Sequence, residues 1–256
     1  NVNVLVIVPK EAESLQDVLK TAKLRGIPVI SYDRLIRNAD ISLYITIDSE
    51  KVGVLMAQGL ADKIRAGKYL CIYGPKEDYN MLMATKGVHS VLSHYSGIEV
   101  LAEFYTDNWN YDLAYRAAND FFDKGMIPDA VICGNDAIAE FVLRSLAEHR
   151  LSGVAVSGQD SDIAACQRVV DGTQAMTVYK PIQALAKEAA ENAVSIAKYG
   201  KSVPEHQGNK IERSMNNGFK DVPAIMLEPK TVTKENIDSI IIDSGFHSHP
   251  DVYRTK

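Results

Sequence analysis

The residues with the richest hydrogen-bonding chemistry in this chain recur in one kind of place, just after short apolar runs. In chain order they are Asp33 and Arg34, Asp78 and Asn80, Asn135 and Asp136, Gln159 and Asp160, and Lys180. Trp109, the single tryptophan, sits between a β-rich run and a helical one and belongs with them. Carboxylates, amides and a guanidinium can each engage two neighbouring polar groups at once. An ammonium can bridge a hydroxyl and an acidic side chain, which keeps desolvated charges paired. An indole offers an apolar face to C–H groups. Together these suit a ligand with many hydroxyls and an apolar ring face, which is the description of a sugar.

Each residue also has a structural role available. Asn135 and Asp136 stand where a helix cap belongs, and Asp33 with Arg34 can form a local surface pair. A lone tryptophan can be core. Asp160, within Gly158-Gln-Asp-Ser-Asp162, can serve a turn or a cap, and Lys180 before a proline can be solvated. What favours binding is the shared placement after strands.

Other chemistries find less support. No GxGxxG, complete GxxxxGK[ST] phosphate loop or GxSxG element occurs. The carboxylates can imitate a glycosidase pair, but binding of hydroxyls accounts for them. His89, His94 and His247-x-His249 have no Cys or carboxylate ligand at matching spacing, so neither a metal nor any other cofactor is expected. Cys71, Cys133 and Cys166 lack CxxC or CxH spacing, and the first two lie in apolar strand patterns, which predicts buried unpaired thiols.

The elements that must position these residues alternate. Strands are predicted over 4–8, 29–32, 69–73, 98–104, 130–134, 154–157, 175–179 and 224–227, most of the early ones continuous apolar runs suited to parallel strands covered on both faces. Helices are predicted over 14–25, 49–66, 79–93, 111–124, 137–147, 162–171 and 181–199, the last opening on Pro181 and stopping near Gly200. Residues 201–219 read as a loop or hairpin, and 245–256 as an extended surface tail. Such alternation implies right-handed βαβ units in a doubly wound α/β fold. In that fold ligands sit at the carboxyl ends of the strands, where the polar residues fall. With net charge −5 and basic residues spread along the chain, no nucleic-acid surface is expected. No apolar run approaches the roughly 20 residues of a membrane span. The chain opens inside a strand pattern, from which an upstream segment, with a secretory signal ahead of it, is expected.

At these residues the chain resembles the bacterial D-xylose-binding proteins within the ribose- and galactose-binding family. The matching elements are Tyr32-Asp-Arg-Leu-Ile36, Ile47-Asp-Ser-Glu-Lys-Val-Gly53, Gly134-Asn-Asp-Ala137, Ser157-Gly-Gln-Asp-Ser-Asp162, Gly172-Thr-Gln-Ala-Met-Thr-Val-Tyr-Lys-Pro-Ile182, Asn216-Asn-Gly-Phe-Lys-Asp-Val-Pro223 and Asp243-Ser-Gly-Phe-His247. Each is ordinary alone, and together, in family order, they are specific. The resemblance implies two doubly wound parallel-sheet lobes joined by a three-strand hinge, with sugar bound in the cleft and closure around it. The expected lobes are 1–47 with 181–217 and 48–180 with 218–256, crossing near 46–48, 180–181 and 217–224. It also implies that a βαβα unit found at the start of the first lobe in family members is missing here. Arg34, Asp78, Asn80, Trp109, Asn135, Asp160 and Lys180 match sugar-contacting positions, Trp109 by stacking, with Asp33 and Gln159 beside them. Tyr79 departs from the family, which has a small polar residue there. The implied ligand is D-xylose or a close pentose, and the implied location is extracytoplasmic, in the periplasm or on a lipid anchor. The implied partner is the permease of an ABC transporter or, alternatively, the sensor domain of a membrane histidine kinase. A third possibility is the effector domain of a LacI-type repressor, which shares the fold.

Overall fold

Val29–Tyr32 (β2), Leu43–Ile47 (β3) and Ala130–Cys133 (β6) bury nearly every side chain, as strands covered on both faces must. The computed structural model describes residues 2–10, 15–208 and 210–254. The predicted helix start at Ser14 and the last two residues of the predicted tail lie outside these.

The chain divides into two compact units, residues 1–48 with 181–228 and residues 49–180 with 229–256. In the first, β1 (Leu5–Ile7), β2, β3 and β10 (Asp221–Leu227) run parallel in the order β1-β2-β3-β10, and β9 (Arg213–Asn216) closes the edge antiparallel to β10. The 18-residue helix α7 (Ile182–Tyr199) packs on β1, β2 and β3, and α1 (Gln16–Leu24) connects β1 to β2. Among the described residues β1 pairs only with β2, and Val6 at its centre stays 45% exposed.

The second unit is built on β4 (Ala66–Tyr73), β5 (Gly97–Tyr105), β6 and β7 (Ala155–Ser157), all parallel in the order β5-β4-β6-β7. A parallel bridge from Ser157 to Met176 extends it to β8 (Thr177–Tyr179), which pairs antiparallel with β11 (Lys230–Val232). The connecting helices are α2 (Ser49–Ala61), α3 (Tyr79–Leu92), α4 (Tyr111–Asp123), α5 (Asp136–Glu148) and α6 (Ile163–Asp171). One core joins Leu70, Ile72, Val131 and Cys133 of the sheet to Phe121 and Phe122 of α4 and Ile138 and Val142 of α5. All three cysteines are free and buried, and burial pushes the Cys71 and Cys166 thiols up to about 12.

Four expectations need correction. Residues 43–47 form a central strand, where only a crossing at 46–48 was read. The third crossing falls after Glu228, not within 217–224, because β10 pairs in register with β3 from Ala224↔Tyr44 to Leu227↔Ile47. The 201–219 segment does contribute β9 to a hairpin with β10, as one of the two readings had it, but a short helix, α8 (Val203–His206), precedes that strand. The tail is not extended: Ser248 caps α9 (His249–Tyr253), whose Val252 is buried with Cys166, Val169, Ile237 and Ile241. That docking explains the helix, since five residues do not hold one alone.

Candidate functional site

The second unit gathers most of the predicted residues along the carboxyl edge of its sheet. Asp78, after β4, caps α3: its Oδ1 accepts from Asn80 N–H (3.0 Å) and Met81 N–H (3.3 Å). Its Oδ2 accepts from Trp109 Nε1 at 3.1 Å, which fixes the indole after β5 beside the end of β4. The ring lies against Gly74, where a Cβ would fall 2.4 Å from the indole, so no other residue fits without moving the tryptophan. Asn108 and Trp109 both hold left-handed backbone, φ 50° and 56°.

Asn135, after β6, caps α5 through Oδ1 on Ile138 N–H (2.8 Å), and its Nδ2 has no hydrogen-bond partner among the described residues. The capping role read from sequence is therefore real, and it uses only half of the amide. Gln159, after β7, donates from Nε2 to Gly134 O at 2.6 Å. Asp160 forms an ion pair with Lys180 after β8, both side chains about 30% exposed. Its φ of 106° and the 54° of Ser161 make a second left-handed step. Of the non-glycine residues with positive φ, Asp33, Asn108, Trp109, Asp160 and Ser161 lie at or beside the predicted positions, where functional sites concentrate such strain.

In the first unit, Asp33 and Arg34 follow β2. Asp33 adopts φ 62°, and its carbonyl accepts from Thr46 Oγ1 (2.7 Å) and Tyr44 Oη (3.0 Å). Ser31 Oγ donates to Arg34 O (2.6 Å) and accepts from Ile36 N–H (2.9 Å). Arg34 Nη1 reaches Lys10 O, after β1, at 3.5 Å. Asp48, after β3, pairs with Arg213 at 2.8 Å. The structure thus sets Asp78, Asn80, Trp109, Asn135, Gln159, Asp160 and Lys180 on one edge of the second unit, and Asp33 and Arg34 on the corresponding edge of the first.

Some participants were not assigned to the site from sequence. Gly74 seats the indole. Gln174 and Thr177 bond the buried Asp136 carboxylate, whose burial pushes it up to about 7 against the pull of those donors. His247 bonds Ser161 O through Nε2 at 2.7 Å, tying the 158–162 loop to the C-terminal segment. Gln174, Thr177 and His247 lie inside matched family elements, which was the available signal.

A family model for the periplasmic binding protein domain matches residues 1–202. The chain belongs to the periplasmic binding protein family. The D-xylose-binding periplasmic protein of Haemophilus influenzae is 41% identical over 261 residues, covering 99% of this chain and 76% of that protein. The protein of the same description from Escherichia coli K12 is also 41% identical, covering 98% and 76%. In structure, this periplasmic binding protein is similar to an ABC transporter solute-binding protein from Clostridium phytofermentans with bound β-D-glucose: TM-score 0.87, 30% identity, 98% of this chain and 82% of that one. These relatives are binding proteins by description, and the chain spans about three quarters of the length of the curated two.

Proposed function

We propose that this periplasmic binding protein takes a pentose, D-xylose first, outside the cytoplasm, and performs no chemistry on it. The observation that carries the proposal is the carboxyl edge of the second unit. There an indole is held flat on a glycine, and amide, carboxylate and ammonium groups follow one another along neighbouring strands. Trp109 takes the C–H face of the sugar ring. Asp78, Asn80, Asn135, Gln159 and the Asp160–Lys180 pair take its hydroxyls, and the same chemistry is proposed for Asp33 and Arg34 on the first unit's own edge. The pentose assignment is supported by 41% identity to two proteins described as D-xylose-binding.

The proposed partner is an ABC permease, in keeping with the transport description of the structural relative. A membrane histidine kinase is the competing partner. Co-purification with the permease rather than the kinase sensor domain decides between them.

The ligand is tested by titration calorimetry of the full chain against D-xylose, L-arabinose, D-ribose and D-glucose, with fluorescence of Trp109 followed in parallel. D-Xylose is expected to bind at micromolar or tighter affinity and to shift or quench the indole emission. Absence of heat and of emission change with every sugar would falsify the proposal.

A further inference from the structure

The 158–162 loop carries Gln159 and Asp160 in a backbone conformation that L-residues rarely adopt, with φ of 106° at Asp160 and 54° at Ser161. The Ser161 hydroxyl is buried with no hydrogen-bond partner among the described residues. Both features cost free energy and persist only where the surroundings over-determine the backbone. Those surroundings converge on one residue, Asp136, through its carboxylate and its backbone N–H. Asp136 Oδ2 accepts from Asp162 N–H (3.1 Å) and from Thr177 Oγ1 (2.7 Å), and that same hydroxyl accepts from Ser161 N–H (3.2 Å). Asp136 N–H donates to Gln159 O at 2.9 Å. Gly158 lies directly on the carboxylate, since a Cβ there would come within 2.3 Å of Asp136 Oδ1. Gln174 Nε2 donates to that oxygen at 2.8 Å and lies beside Gly158 too, 3.2 Å from the same Cβ position. Gly158, Gln159, Ser161 and Asp162 are thus fixed by Asp136, directly or through one hydroxyl, while Asp160 between them turns its carboxylate to Lys180.

We propose that Asp136 is a positioning residue for ligand binding, setting the 158–162 backbone so that the Asp160 carboxylate, backed by Lys180, meets the ligand's hydroxyls. The proposal rests on the sugar-binding function above. A carboxylate with no exposed surface is a poor device for stability alone, because burying it is unfavourable and a neutral residue of equal size would fold at less expense. Its three donors from different segments are what a neutral side chain would not orient in the same way.

The test is Asp136→Asn in the full chain, titrated with D-xylose alone and combined with Asp160→Ala. The amide keeps the size but turns an N–H₂ toward donors. With circular dichroism unchanged, affinity is expected to fall about tenfold or more. In the Asp160→Ala background the same change should weaken binding less than about twofold, because its effect passes through Asp160. Unchanged affinity in the single variant, or an equal loss in both backgrounds, overturns the proposal, the latter because a merely structural defect ignores Asp160. If Asp136→Asn does not fold, Thr177→Val, which removes only the hydroxyl linking Asp136 to Ser161, is judged by the same two outcomes. Failure of the unaltered chain to bind any sugar of the panel overturns the underlying function instead, and so separates the two.

Discussion

The carboxyl edges of the two units are built by different means. In the second unit the protein engages the side chains themselves: Trp109 donates to Asp78, Gln159 to Gly134 O, Ile138 N–H to Asn135, and Lys180 pairs with Asp160. In the first unit backbone is anchored as well as side chain, since Arg34 Nη1 reaches Lys10 O while hydroxyls hold two carbonyls. Thr46 and Tyr44 hold the carbonyl of Asp33, and Ser31 holds that of Arg34. Side chains ordered in advance have already lost their rotamer freedom at folding, so binding them to a ligand costs less. The first edge holds the carbonyls of Asp33 and Arg34 through hydroxyls, and the second ties side chains to one another and to neighbouring backbone.

The largest expected effect tests whether the second edge carries a buried charge of its own. Burial raises Asp136 from an ordinary 3.8 to about 7. Below pH about 4 folded and unfolded chains both hold this proton, and between about 4 and about 7 only the folded chain does. Stability from this group therefore declines as pH rises through that window and is flat above it, by about 4 kcal/mol at most. Melting temperatures of the unaltered protein and Asp136→Asn from pH 4.5 to 8 should converge at the acid end, once the slopes common to both are subtracted. Parallel curves would place the charge elsewhere.

Next, Asp160→Ala should weaken D-xylose binding by about 1–3 kcal/mol with little change in melting temperature, since its partly exposed pair with Lys180 contributes little to folding. An equal loss of stability would mean that the second edge is no more preorganised for ligand than the rest of the fold. The smallest effect belongs to the first edge. Ser31→Ala removes two hydrogen bonds that hold the 31–36 turn and should lower stability by about 1 kcal/mol, with affinity following only modestly. Denaturant unfolding beside calorimetry measures both, and a loss of affinity larger than that of Asp160→Ala would reverse the contrast between the edges.

Much of this architecture was legible because apolar runs and caps are local signals. β2 spans 29–32 as its pattern predicts, and α3, α4 and α5 begin within a residue of expectation because Asp78, Asn110 and Asn135 cap them. β3 was obscured, since Leu43–Ile47 carries Tyr44 and Thr46 among its apolar residues and its burial comes from lying between β2 and β10. The C-terminal helix was missed for a related reason. Ser248, Pro250 and Asp251 are local start signals, but five residues do not hold a helix alone, and the pocket that receives Val252 stabilises that conformation. Asp136 was visible as a post-strand carboxylate, but nothing adjacent in sequence shows that Gln174, Thr177 and the 158–162 loop close around it.

The sequence by itself determined the α/β alternation, the placement of polar residues after strands and the family elements. Each is written in short windows where periodicity, capping and composition act. Only the tertiary structure decided which of those polar groups are held by protein and by which atoms, that Trp109 rests on Gly74, and that Asp136 organises the loop bearing Asp160. These depend on contacts between residues up to 41 positions apart along the chain, as Asp136 and Thr177 are, and such contacts exist only once the sheet has brought the strand ends side by side.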